Sequence, residues 1–426
     1  MEYKKEIIEN TKIGEKYIRI KHPSGCTVCL YPMEKYSSAY ALFGTNYGSV
    51  DTCFKTDEDE AFVTVPEGIA HYLEHKLFES DECSVFSEFA KTGANANAYT
   101  SFDRTVYLFS CTQRFEENLE ILLNFVQKPY FTDENVEKER GIIGQEIDMY
   151  RDDPGWRVFF NCLQAVYYNN PIRIDIAGSS ESIAKIDKEL LYRCYNAFYN
   201  LNNMTLSIAG SFDTEKVLEI CDKCLKPSAN HKLEKIIPDE PYQVKEKSVT
   251  VKLPCAQPLF NIMYKFPQMT PKEAQTAYIT YTVMLETCLG CTSSFYKNMY
   301  EQNLINESFN VGVFYCRGVF LCVVDGESKD PFIVKEKINS ELIRLRTDLP
   351  NKDEFENVKK RVYGGFLYYF ESVSSNATSM LNAEMLGVSV FDGVDIISRL
   401  TYEDMVEALN NLDTDNCSIS VVEPTE

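Results

Sequence analysis

Four histidines serve 426 residues, and none occurs beyond His231. Any chemistry that needs imidazole must therefore come from His22, His71, His75 or His231. Positive charge is scarce too: 43 lysines and arginines stand against 64 acidic residues, a formal charge of −21. That balance argues against nucleic acid and against anionic membrane surfaces as partners. Long apolar runs are missing. No window approaches the roughly 18 apolar residues of a membrane-spanning helix. The opening stretch MEYKKEIIENTKIGEKYIRI lacks the apolar segment of a secretory signal. These absences lead us to expect a cytoplasmic chain that binds neither membrane nor nucleic acid.

Cysteine, in contrast, is plentiful. There are 15, an odd number spread along the chain, and without a secretory signal they do not suggest a disulfide framework. Three CxxC pairs occur, Cys26/Cys29, Cys221/Cys224 and Cys288/Cys291. The first lies in a strand-like stretch, where residues three apart point to opposite faces and chelate poorly. Reduced, buried cysteines are the expectation; a metal held by the CxxC pairs is the alternative.

A chain of this length exceeds one ordinary core, so two or more domains are expected. The segment YIRIKHPSGCTVCLYP reads as strands joined by a Pro-Ser-Gly turn. A helical stretch follows from about Pro66, then VFSEFAKTG as a helix stopping at Gly93. NANAYTSFDRTVYLFSC alternates like a strand pair, and RFEENLEILLNFVQ has the spacing of an amphipathic helix. FTDENVEKERGIIGQEIDMYRDD is a long helix, MTLSIAGSF a buried strand and TEKVLEICDKCL another helix. The pattern dissolves over 227–245, rich in proline and charge, and then the same order of elements returns. We expect an N-terminal domain over 1–226, a linker over 227–245 and a C-terminal domain over 246–426. NVEKERGIIGQE from Asn135 lies over NVKKRVYGGFLY from Asn357, and SVFSEFAKTGANANAYTSF over SSFYKNMYEQNLINESFNV. That suggests duplication. In this register Glu139 falls on Arg361 and Glu146 on Tyr368, so the second half would have lost the first half's chemistry.

The first half's chemistry centres on EGIAHYLEHKLFES. On a helix, His71 and His75 share one face a turn apart, and Glu74 leans toward it. Neutral imidazole suits zinc, and a chance HxxEH is rare in so histidine-poor a chain. The plainer reading has His71 and Glu74 solvated and His75 a satisfied core histidine. A catalytic zinc takes three protein ligands and leaves a fourth position for water. His22 and His231 lie in a strand-like segment and in the linker, so a carboxylate from another helix is the better third ligand. Glu146 is the best candidate, on a helix whose Ile142, Ile143 and Ile147 must pack on the core. Glu139, two turns earlier on the same face, could orient a ligand.

HxxEH together with the blocks EGIAHYLEHKLFE, GANANAYTSFDRTVYLFS and EKERGIIGQEIDMYRDDP resembles the pitrilysin, or insulinase-like, zinc metallopeptidases, over nearly the whole chain. The resemblance implies an α+β fold: two similar halves, each a mainly antiparallel sheet packed against helices, together forming half of a clamshell. It implies one Zn2+ per chain on His71, His75 and Glu146, with Glu139 supporting the site and Glu74 as general base. The strand at Asn97 and Ala98 would bind peptide by backbone pairing. It also implies a homodimer, or a heterodimer with a related chain, closing a chamber in which unfolded peptides are cut by zinc-activated water.

One departure stands out. Family members usually carry an arginine and, seven residues on, a tyrosine in the second half; here Tyr300 and Glu307 occupy those places. Tyr315 and Arg317 lie nearby and could substitute. The departure keeps alternatives open: an inactive or assisting subunit of a heterodimeric peptidase, or a protease that matures one dedicated precursor.

Overall fold

The computed structural model describes residues 4–79 and 84–425. Two compact units form, interleaved along the chain. Unit 1 draws its described residues from Met1–Ile147, Ile174–Ile237 and Leu367–Phe391; unit 2 from Asp148–Arg173, Pro238–Phe366 and Asp392–Glu426. The passage at 237/238 lies within the stretch 227–245.

Unit 1 contains β1 (Lys5–Asn10), β2 (Glu15–Lys21), β3 (Thr27–Pro32), β4 (Ala39–Thr45), β5 (Cys53–Thr56), β6 (Val63–Thr64), β7 (Asn95–Thr100), β8 (Thr105–Cys111), β9 (Met204–Gly210) and β10 (Leu233–Lys235). A seven-stranded sheet runs in the order β1-β2-β3-β9-β4-β8-β7, and β10-β5-β6 form a small second sheet. Only the β3/β9 pair in the large sheet is parallel. Unit 2 contains β11 (Ser248–Leu253), β12 (Leu259–Lys265), β13 (Asn310–Cys316), β14 (Val319–Glu327) and β15 (Cys417–Pro424), ordered β11-β15-β12-β14-β13. Here too one pair is parallel, β11/β15. Taken in chain order, β11 to β15 reproduce β3, β4, β7, β8 and β9 in both order and direction. The fold is therefore the expected α+β arrangement of two similar units, each a mainly antiparallel sheet packed against helices.

The helices repeat as well, with one exchange that amphipathic periodicity does not reveal. The helix Pro154–Val166, following the first half's long helix, packs on β11, β12 and β15 of unit 2. Its counterpart Val373–Leu386 packs on β3, β4 and β9 of unit 1. An apolar stripe demands burial but does not say against which sheet. Val373–Leu386 is also pinned by polar contacts: Arg19 on β2 meets Glu384 with two bonds of 2.7 Å, and Ser207 Oγ donates to the Ala377 carbonyl at 2.7 Å.

The long helices, Asp133–Asp152 and Lys352–Tyr369, correct the register read from sequence. Thr132 and Asn351 lie just before the two helices, and each takes a hydrogen bond from an amide of the first turn. From there the buried positions coincide, Val136 with Phe355 and Glu139 with Val358. Glu139 thus falls on Val358 and Glu146 on Gly365, rather than on Arg361 and Tyr368. The sequence register is out by three residues because a shift of three nearly restores the same helix face. Burial aligns the partner helices Ile69–Leu77 and Pro271–Cys288 in the same way, placing His71 on Thr282, Glu74 on Leu285, His75 on Glu286 and Lys76 on Thr287.

Candidate metal centre

Two helices deliver the site from residues that all lie in unit 1. Ile69–Leu77 starts at Gly68, whose φ is 85°, and a Cβ there would lie 2.3 Å from the Ala177 carbonyl oxygen. Only glycine fits so close an approach in this conformation. Tyr72, Leu73 and Leu77, all within the unit's apolar core, seat the helix; each such burial contributes about 1.5–3 kcal/mol. The long helix is seated by Val136 and Ile143, two turns apart. Glu139 shares that buried face, and Glu146, one turn beyond Ile143, is half-buried at its rim.

The side chains converge. His71 Nε2 and His75 Nε2 lie 3.2 Å apart. The Glu146 carboxylate is 3.7 Å from His71 Nε2 and 3.4 Å from His75 Nε2. Ligands held tetrahedrally at about 2.1 Å from one zinc ion would be separated by about 3.4 Å, so the spacing fits one such ion. Among the described residues, these three are the only group of histidine, cysteine, aspartate or glutamate side chains clustered closely enough to hold a metal.

The surroundings prepare the donors. Glu139 Oε1 lies 3.0 Å from His75 Nδ1, so a proton on Nδ1 leaves Nε2 as the donor facing the gap. Burial opposes charge on His75, but hydrogen bonds to Glu139 and Glu146 outweigh it and raise its pKa to about 10. Burial, and then the neighbouring His75, lowers that of His71 to about 4, leaving a neutral imidazole. Burial pushes Glu139 up, yet His75 holds it below the usual carboxylate range. Glu74 is 8% exposed, and burial raises its pKa. Its Oε2 accepts a hydrogen bond of 2.7 Å from Thr100 Oγ1 on β7.

Thr100 escapes sequence reasoning, since no spacing ties it to Glu74. Strand alternation offers the one clue, setting Thr100 on the same face as Ala98. β7 forms an edge of its sheet and contacts the HxxEH helix. Asn97 and Ala98 lie on this edge strand, and the Ala98 N–H donates to Asn97 Oδ1 at 2.9 Å. Tyr315 and Arg317 belong to unit 2, at the end of β13 and in the turn after it.

The remaining histidines are engaged elsewhere. His22 Nδ1 is 2.8 Å from Ser24 Oγ and its Nε2 3.3 Å from Asp222, while His231 pairs with Asp57 at 3.1 Å. The 14 described cysteines are free, 11 of them buried, and none joins a metal-ligand cluster.

Comparison with known proteins identifies the family. The family profile described as Insulinase (Peptidase family M16) matches residues 65–180, and that described as Peptidase M16 inactive domain matches residues 185–362. A Bacillus subtilis protein named as an uncharacterized zinc protease, YmfH, is 38% identical over 403 residues, covering 93% of this chain and 94% of its own. The crystal structure of an M16-like peptidase from Alicyclobacillus acidocaldarius has a TM-score of 0.91 at 31% identity, covering 100% of this chain and 99% of the other. A shorter match, 30% identical over 162 residues and covering 37% of this chain and 35% of the relative, is to mitochondrial-processing peptidase subunit beta of Caenorhabditis elegans.

Proposed function

Since the chain belongs to the insulinase family of peptidases, peptidase family M16, we propose that it is a zinc-dependent endopeptidase acting on unfolded peptides, with His71, His75 and Glu146 as metal ligands and Glu74 as general base. The observation carrying this reading is the convergence of two imidazole nitrogens and one carboxylate within 4.8 Å of one another, beside a buried glutamate. Relatives named as zinc proteases support the choice of metal.

Zinc held there supplies a Lewis acid that polarises a peptide carbonyl and acidifies water to a pKa of about 7. Glu74 takes the proton from the attacking water and returns it to the leaving amine nitrogen. Burial strengthens it as a base, and the Thr100 hydroxyl fixes its orientation. Glu139 keeps the proton of His75 on Nδ1. An extended peptide lies along the edge of β7 by main-chain pairing at Asn97 and Ala98, which tolerates many side chains. That strand reaches the base directly, because Thr100 ends it. Tyr315 and Arg317 are our candidates for holding the substrate carbonyl.

A second reading, an assisting subunit that needs a related chain, is favoured by Tyr300 and Glu307 at the places where the family carries arginine and tyrosine. The named subunit among the relatives fits it. Metal analysis and peptide cleavage by the purified chain, with and without a chelator, decide between them. We expect about one zinc per chain, and cleavage that the chelator abolishes and zinc restores. Zinc without cleavage would select the assisting subunit, and a chain that takes up no zinc would end the reading as a zinc endopeptidase.

A further inference from the structure

Directly after His75 stands Lys76, whose side chain is 0% exposed. Leaving water costs a buried ammonium several kcal/mol unless it is paired and hydrogen-bonded. Lys76 Nζ bonds the Glu79 carboxylate and the main-chain oxygen of Asn135 at 3.1 Å. Asn135 lies in the first turn of the helix carrying Glu139 and Glu146. Tyr72 on the HxxEH helix bonds the next carbonyl, that of Val136. Together these two side chains clamp the start of the ligand-bearing helix to the helix of the histidines.

Unit 2 packs the same helix pair without this clamp. Its equivalent of Lys76 is Thr287, equally buried, whose hydroxyl merely bonds Val283 O of its own helix at 2.7 Å. The fold thus joins these two helices without a lysine. What unit 2 also lacks are the acids: Leu285, Val358 and Gly365 replace Glu74, Glu139 and Glu146. The buried cation accompanies the three carboxylates, not the fold. Resting on the zinc reading of the site, we propose that Lys76 is a positioning residue for the metal: its ammonium offsets the surplus carboxylate charge and fixes the register in which Glu139 and Glu146 meet the two histidines.

The test is zinc affinity, measured by competition with a chromophoric chelator, alongside thermal melting of the metal-free protein. Lys76→Thr copies the residue that unit 2 accommodates at this position; Lys76→Met fills the space without charge. Both are expected to fold and to bind zinc about 10- to 100-fold more weakly, the usual cost of losing a group that orients ligands. Lys76→Arg, which keeps charge and donors, should recover most of that loss. Unchanged zinc affinity in Lys76→Thr and Lys76→Met, with only the melting point lowered, overturns the proposal. Failure of both to fold overturns it too, since the lysine would then belong to the fold. A wild-type chain that binds no zinc refutes the metal site itself, and is thereby distinguished from failure of the role given to Lys76.

Discussion

The two units repeat one topology, yet only one carries the constellation. In unit 1 the HxxEH helix and the long helix are joined by His75 and Glu139 at 3.0 Å. In unit 2 the residue equivalent to His75 is Glu286, and it too reaches the long helix, meeting Arg361 at 2.8 Å. Both helix pairs are therefore bridged by a charged contact, with opposite polarity. Where unit 1 buries Glu74 and Glu139, unit 2 buries Leu285 and Val358. Burying apolar side chains is favourable, whereas burying carboxylates costs free energy unless they are paired. The comparison teaches that the scaffold needs none of the site's polar groups. Unit 1 retains them at a cost in stability, as expected of groups kept for chemistry.

The strongest test of that contrast is Glu74→Gln. It preserves shape and the bond from Thr100 but removes the base. Peptidase turnover should fall by about 10²–10⁴-fold while zinc content stays near one per chain. Full turnover in this variant, assayed beside metal content on the same sample, would mean that the glutamate is no more needed here than Leu285 is in unit 2.

A smaller effect separates how each unit holds its exchanged helix. Pro154–Val166 lies on the unit 2 sheet mainly through apolar side chains, Val158, Phe160 and Leu163 among them. Val373–Leu386 buries smaller ones and is pinned to unit 1 by the forked Arg19–Glu384 pair. Burial raises the pKa of Glu384, but Arg19 outweighs it and holds the group below the usual carboxylate range. A depressed folded-state pKa contributes stability above the unfolded value, about 4.3, that is lost as pH falls through the folded one. Glu384→Gln should cost about 1–3 kcal/mol at pH 7. The gap from wild type should close below about pH 4, read as converging urea midpoints across a pH series. A gap independent of pH would show that the charge plays no part in the pin.

Much of this was legible in the sequence, for reasons that differ by residue. Helical i, i+4 spacing alone puts His71 and His75 on one face, and the turn residues mark Gly93 as the helix stop seen at φ 75°. Glu146 required more, because a separation of 71 positions is closed only by tertiary packing. The helix exchange is hidden because Pro154–Val166 and Val373–Leu386 announce a buried face without naming the sheet that covers it. The three-residue slip between Glu139 and its counterpart arises because 3 and 4 bracket the 3.6-residue turn. Burial, unlike periodicity, distinguishes Val358 from Arg361. Thr100 and Lys76 act through contacts between elements, which no local pattern records.

The smallest expected effect bears on whether unit 2 is inert. Glu286 stands where His75 stands in unit 1, but the Arg361 side chain that it meets is 49% exposed. Solvent screens such a pair, so Glu286→Gln should cost only about 0–1 kcal/mol and leave zinc content and turnover at wild-type values. A null result is informative because the equivalent change in unit 1, at His75, should abolish zinc binding. If Glu286→Gln instead lowers turnover while stability is unchanged, unit 2 takes part in the reaction, and the division into a reactive unit and a structural copy must be redrawn around this pair.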